Sequence, residues 1–307
     1  VESPVKYSVS VVKSNSHYDG VLHSLRLIED QIMDGVKGKE RVLVKLNFVS
    51  VHTQLAATHV DAVRAVIDVL RKHYNGKITI AEGPSLGRLE DGLRNFNYLQ
   101  LRDSYDIEFV DINEDDYIEV EAYDQRLKPM KLRMSKTVLE SDYRISVTLP
   151  KTHDRFIATL SIKNMAVGSL VGYDKGRVHF GYSYQNGTAK AANINIAKMG
   201  QKAMPHLGVI DGYVGMEGRG PNSGEQVDLR VAAASIHPVS LDAVMAKIMG
   251  FNPQDIGYLY YLHEWTKCPI DPSMVDILGV TVEEVAMKFK PHPRYRDMLQ
   301  WKNEHNA

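Results

Sequence analysis

The sequence predicts an α/β fold: a mostly parallel sheet with helices on both faces, an antiparallel β excursion and a helical C-terminal extension. Three observations carry that expectation. The first third alternates short β-branched runs with segments of helical periodicity, and strands joined through helices run parallel. Glu114 to Met134 is charged and β-biased, with no helical period. From Pro253 onward, apolar residues return at helical spacing.

In order, Tyr7 to Lys13 is a strand carrying Val9, Val11 and Val12, and Tyr18 to Met33 is a helix with Val21, Leu25, Ile28 and Ile32 on one face. Arg41 to Asn47 alternates Val42, Val44 and Leu46 and is a second strand. Thr58 and Asp61 resemble an acidic capping box before Val63, Val66, Ile67 and Leu70. Lys77 to Ala81 and Ile107 to Asp111 are further strands, and the excursion comes next. Tyr143 to Leu149 is a strand stopped by Pro150; Ala158 to Leu170 is a buried helix or turn; Thr188 to Met204 is a helix. Leu207 to Asp211 and Arg230 to Ser235 are strands flanking a glycine-dense loop, and Val239 to Met249 is helical. Pro253 to Lys267 places Ile256, Leu259, Tyr260 and His263 on one helical face, and Val282 to Phe289 adds an amphipathic turn. The expected organisation is one α/β domain over residues 1–250 and a helical extension, 251–307, packed on it.

The 307 residues are 44% hydrophobic and 24% charged, the balance of an ordinary globular chain. Lys plus Arg total 37 against 38 Asp plus Glu, so no global field recruits nucleic acid or an anionic membrane, and neither is expected as a partner. Recognition of charge must be local. The single cysteine, Cys268, rules out an internal disulfide and a Cys-ligated iron–sulfur cluster, and it suits the cytoplasm. A removed export signal stays compatible with a chain that starts at Val1. No apolar run approaches a membrane span.

Ligands of parallel α/β sheets bind beyond the carboxyl ends of strands, which directs attention to the residues just past each strand. After Tyr143 to Leu149 come Lys151 and His153, two residues apart, so that both side chains can face one way. An ammonium beside an imidazole binds an anion and supplies a group that titrates near neutral pH; the alternative is a charge-rich solvated turn. Lys163 and Asn164 interrupt an apolar segment, where a buried lysine needs a ligand or a carboxylate such as Glu82 or Asp211. His179 ends a polar patch with Asp174, Lys175 and Arg177. The loop after Asp211 carries Glu217 and, with Gly218 and Gly220, either an anion-binding nest or a structural hairpin. Its spacing matches neither a Walker loop nor a dinucleotide fingerprint. Lys45 and Asn47 close the second strand opposite the helix start at His59, and Glu82 comes directly after the third. One sheet could gather all of these in a single cleft.

Val42 to Asn47, Thr58-His59-Val60-Asp61, Ala81-Glu82-Gly83, Leu149-Pro150-Lys151-Thr152-His153, Ser161-Ile162-Lys163-Asn164 and the Asp211 to Gly224 loop together resemble the domain-of-unknown-function 362 family, over about Lys6 to Gly250. The resemblance implies that Lys45, Lys151, His153, Lys163, Asn164, Glu217, Gly218 and Gly220 belong to the family's cleft; it supplies no substrate. Many relatives carry ferredoxin-like cysteine runs that this chain lacks. The layout is also distantly similar to lactate-racemase-like proteins, but no motif matches.

The expected function is an enzyme acting on a small phosphate- or carboxylate-bearing metabolite. Lys151 and Lys163 bind the anion, His153 transfers a proton, and Glu217 or Asp211 orients the histidine or serves as second acid/base. The cofactor is unspecified; one version holds a divalent metal on His153, His179, Glu217 and Asp211, although no His-x-x-x-His pair or cysteine pair supports it. The alternative class is a non-catalytic ligand-binding module or a redox-partner subunit. A homo-oligomer or a redox partner is compatible with either.

Overall fold

The computed structural model describes residues 6–179 and 189–305. In chain order its strands are β1 (Ser8–Lys13), β2 (Val42–Lys45), β3 (Ile78–Glu82), β4 (Ile107–Asp111), β5 (Tyr117–Tyr123), β6 (Pro129–Ser135) and β7 (Tyr143–Thr148). Then come β8 (Lys151–His153), β9 (Ile157–Thr159), β10 (Leu207–Gly212), β11 (Gly215–Glu217), β12 (Glu225–Val227), β13 (Val231–Ser235) and β14 (Asp276–Gly279).

Eight strands form the main sheet in the order β14-β1-β13-β10-β7-β2-β3-β4. All neighbours are parallel except those of β13, which pairs antiparallel with both β1 and β10. Seven strands therefore run one way, and the carboxyl ends of β1, β2, β3, β4, β7 and β10 share one edge. Alternation sorts each strand between two cores. Leu43, Ile210 and Val9 face the core that includes Ile162, Ile196, Val244 and Leu259. Val42, Val44 and Val209 face the core that includes Val21, Ile32, Val63 and Leu93. Both faces of the sheet are thus covered, as the near-continuous apolar strands require.

Over the carboxyl edge lies a four-stranded sheet, β12-β11-β8-β9, which turns Lys151–His153 into a buried strand rather than a solvated turn. The excursion is the antiparallel hairpin β5–β6, with Val120 opposite Leu132. It docks through Asn195, whose amide accepts from Tyr123 N–H and donates to Tyr123 O.

Several local expectations change. The single helix over Tyr18 to Met33 is two, His17–Arg26 and Glu29–Val36, because Ile28 leaves helical backbone (φ −125°, ψ 21°) while Ile28 and Ile32 still bury. The Thr58 capping box does not form. His59 caps the helix Val60–Leu70 through Nδ1, which accepts from Asp61 N–H, while Thr58 Oγ1 accepts from Asn47 N–H and donates to Val147 O, tying β2 to β7. Thr188 lies outside the described residues; the helix there runs Ala189–Lys202. The C-terminal part is largely helical, with Gly257–Thr266 its longest helix, but it also supplies β14, too short a run to stand out in sequence. No helix among the described residues is long and apolar enough to cross a membrane.

An aspartate near a helix start favours that helix by default, but Asp242 serves a different one. It lies fully buried within Pro238–Ile248, and its carboxylate accepts from Ser161 N–H (3.0 Å), Ser161 Oγ–H and Ile162 N–H (2.9 Å), the first turn of Ser161–Gly168. Burial pushes its carboxyl up to about 7 despite these donors. Asp242→Ala should cost on the order of 1–3 kcal/mol for each N–H orphaned in the core. Urea unfolding checks this, and a wild-type midpoint would remove the cap from the account.

Candidate functional site

The carboxyl ends of β2, β3 and β8, the 3-10 turn after β4 and the helix Ser161–Gly168 converge on a cleft of about 660 Å³, lined among others by Lys45, Asn47, Glu82, His153, Lys163 and Lys175. Each strand ends in a polar residue because the edge of a parallel sheet is the place where a covered, apolar strand reaches water or a ligand.

Lys45 is wholly buried. Its Nζ donates to Glu82 Oε2 (2.6 Å) on the adjacent strand and to Leu46 O (2.8 Å), and Glu82 Oε1 accepts from Gly83 N–H (2.8 Å). Burial lowers the Lys45 ammonium and raises the Glu82 carboxyl, while their mutual attraction opposes both shifts. Glu82 therefore belongs to Lys45, not to Lys163.

Lys163 Nζ has no hydrogen-bond or ion-pair partner among the described residues. It stands 5.2 Å from the centre of the Phe156 ring, and burial holds it down to about 8. Lys175 is also held to about 8, chiefly by burial; its Nζ donates to Asn113 Oδ1 and Leu170 O. The turn that carries it is anchored by Asp174, which accepts from Arg133 N–H and pairs with Arg133 and Arg177.

Lys151 has a different place from the one expected. Its Nζ is buried behind the cleft wall, donating to Asn47 Oδ1 and Ala56 O (3.3 Å), and burial with repulsion from Lys163 lowers it to about 7. Asn47 Nδ2 donates in turn to Asn164 Oδ1 (3.1 Å), and Asn164 Nδ2 to Ser146 Oγ (3.0 Å). Lys151 thus acts on the cleft through two asparagines.

Two neutral imidazoles complete the wall. Burial, reinforced by Lys163, holds His153 down to about 3, and its Nδ1 lies 3.0 Å from Arg155 N. Asp154 Oδ1, 3.0 Å from the same ring nitrogen, is positioned to pair with the ring once it is protonated. His179, held well below its usual range by burial, donates Nδ1–H to Lys175 O (2.8 Å), so its Nε2 is a buried acceptor with no partner among the described residues. The two rings stack with centroids 6.1 Å apart and planes at 12°.

This series of lysine, asparagine and histidine positions, on a chain whose residues 42–247 match the Domain of unknown function (DUF362), decides the family. The chain belongs to the DUF362 family. It is 26% identical over 306 residues to the thylakoid-associated protein sll1697 of Synechocystis sp. (strain ATCC 27184 / PCC 6803 / Kazusa), covering 96% of this chain and 87% of that one. Its fold is similar to the lactate racemase apoprotein from Thermoanaerobacterium thermosaccharolyticum, at a TM-score of 0.52 and 16% identity, over 79% of this chain. The match spans 58% of that structure, and at this identity it speaks for the fold alone.

Not every expected residue of this DUF362 chain reaches the cleft. Glu217 Oε2 accepts from Lys290 N–H (2.8 Å) in the C-terminal part, away from the lysines. Gly218 (φ 70°) donates its N–H to Lys290 O (2.8 Å), so that amide is committed to a carbonyl and is not part of an open nest. Gly220 passes so close to β8 that a Cβ would lie 2.1 Å from Thr152 O; the loop needs this glycine to pack, and it reaches the cleft through Pro221. His59 and Asp211 line a separate, smaller cavity. His153, His179, Glu217 and Asp211 therefore do not converge, and no group of three His, Cys, Asp or Glu among the described residues has a metal-holding arrangement.

Sequence reasoning misses Asn113 and His17. Both lie just past strand ends on the functional edge, two residues after β4 and four after β1, and that position is the available signal.

Proposed function

We propose that this DUF362 protein is an enzyme acting on a small phosphate- or carboxylate-bearing metabolite by Lys/His acid–base chemistry. The observation that carries the reading is a charge imbalance. Lys163 and Lys175 line the cleft with no ion pair among the described residues; of the carboxylates lining it, Glu82 is paired with Lys45 and Asp154 lies against His153 and Arg155. Unpaired buried ammoniums are costly, and a bound anion offsets that cost.

The imidazoles supply complementary proton roles. His179 offers a buried Nε2 that can take a proton from the substrate, and His153 can deliver one only after it has itself been protonated, since a neutral imidazole donates a hydrogen bond but gives up no proton. An anion that offsets Lys163 also relieves the repulsion that holds His153 down, moving it toward the range in which it can exchange a proton. Asp154 would then hold the imidazolium. A cytoplasmic setting is part of the proposal, supported by a single, buried free Cys268.

A thermal-shift screen of phosphorylated metabolites and carboxylates, with NMR of any stabilising compound for turnover, tests the reading. Lys163→Met should abolish the stabilisation, whereas His153→Ala should keep binding and lose turnover by roughly 10²–10⁴-fold. Binding without turnover by the wild-type chain assigns a ligand-binding module instead, and no anion binding at all defeats the proposal.

A further inference from the structure

At the carboxyl ends of β1 and β10, beside the lysine cleft, lies a second cavity of about 220 Å³ whose lining includes His17, His59, Asp211, Gln54 and Gln226. Gln54, Leu55 and Ala57 line this cavity, and the carbonyl of the intervening Ala56 accepts from Lys151 Nζ.

The hydrogen bonds set both imidazole tautomers. Asp211 is buried, and its Oδ2 lies 2.6 Å from His17 Nδ1, which therefore donates; its Oδ1 accepts from Tyr213 N–H (3.2 Å). In neutral His17 this leaves the lone pair on Nε2. His59 Nδ1 accepts from Asp61 N–H (3.2 Å), so its proton sits on Nε2. The rings lie parallel, 3.9 Å apart at 7°, with the Tyr213 ring against His17 at 4.9 Å. One acceptor and one donor are thus held side by side in a cavity.

Charge selects the ligand class. Among the described residues no lysine or arginine lines the cavity, so an anion would find hydrogen-bond donors there but no fixed positive charge. Each Asp211 oxygen already accepts one hydrogen bond, from His17 and from Tyr213 N–H, so its charge is directed at His17. A hydroxyl or primary amide, which donates and accepts through the same small group, satisfies the pair and the two glutamine amides.

We propose that His17 and His59, with Asp211 behind His17, form a second site that binds a small uncharged hydroxyl- or amide-bearing molecule and offers it a proton acceptor. This goes beyond the lysine-cleft reading and does not depend on it.

Long-range proton–nitrogen NMR of the full ¹⁵N-labelled chain reads the tautomers directly. His17 should be the Nδ1–H form and His59 the Nε2–H form at neutral pH. Titration with glycerol or acetamide should shift the Nε2 signals of both rings, while inorganic phosphate at the same concentration should not. His17→Phe, which keeps a ring against His59, should weaken the response at His59 at least tenfold. The proposal is overturned if wild-type His17 carries its proton on Nε2, if phosphate shifts the pair, or if neither glycerol nor acetamide does. Phosphate binding in the lysine cleft is read separately from its effect on Lys163→Met, so the two assignments fail independently.

Discussion

Anion binding to the lysine cleft is expected to take up protons and to tighten as pH falls from about 9 to about 7, the window set by Lys163 and Lys175, each held down to about 8 mainly by burial. The sign is fixed by the state of the cleft before the anion binds. Above that value the cleft holds neutral amines, and an anion must draw a proton from solution for each ammonium it pairs with. Below it the ammoniums already exist, and the dependence flattens. Each recharged lysine contributes up to about tenfold in affinity per pH unit on the alkaline side. Sulfate is the useful probe because it does not itself titrate over this range. Calorimetry in buffers of different ionisation enthalpy should show proton uptake at pH near 8.5 and little at pH near 6.5. Lys163→Met should remove that lysine's share of the uptake, less than one proton at this pH, and weaken binding by roughly 10–100-fold, as expected for losing a hydrogen bond to a charged group. Affinity that is flat across this range would mean that these lysines do not meet the ligand.

The second large effect is on stability. Lys45→Met should destabilise the fold by about 3–5 kcal/mol, because it strands the Glu82 carboxylate in a site with almost no access to water. Glu82→Gln alone leaves Lys45 without its charge partner and should cost a similar amount. Lys45→Met with Glu82→Gln should recover most of the loss, since the amide still accepts from Gly83 N–H and no unpaired charge remains. Guanidinium unfolding of the three variants closes the cycle. Single variants as stable as the wild type would show that the pair contributes specificity rather than stability.

Much of the cleft is legible in the sequence. Lys45 and Glu82 share it because parallel strands deliver their carboxyl ends to one edge, and His153, Lys163 and Asn164 reach it on the short strand and helix that follow β7, whose end is readable from alternation and from the stop at Pro150. Partner choice is not legible. A buried lysine in Ser161–Gly168 signals a need for a counterpart, but Glu82, one of the two carboxylates considered, pairs with Lys45, a relation set by two strands lying side by side. Asp211 pairs with His17, 194 residues away, and Asp242 caps a helix about 80 residues upstream. Thr58 has the spacing of a cap, but the close approach of β2 and β7 gives its hydroxyl two other partners.

Sequence by itself determined most strands of the main sheet, the longer helices and the polarity of the sheet edge, because these depend on residue periodicities of 2 and 3.6 that act within a few positions. Tertiary structure alone decided the strand order, the reversal of β13, the addition of β14 and the division of one expected cleft into a cationic cavity and an imidazole cavity. The reason is that desolvation and charge pairing act through space over a few ångströms. Which groups must neutralise one another is therefore set only after distant strands have been laid side by side.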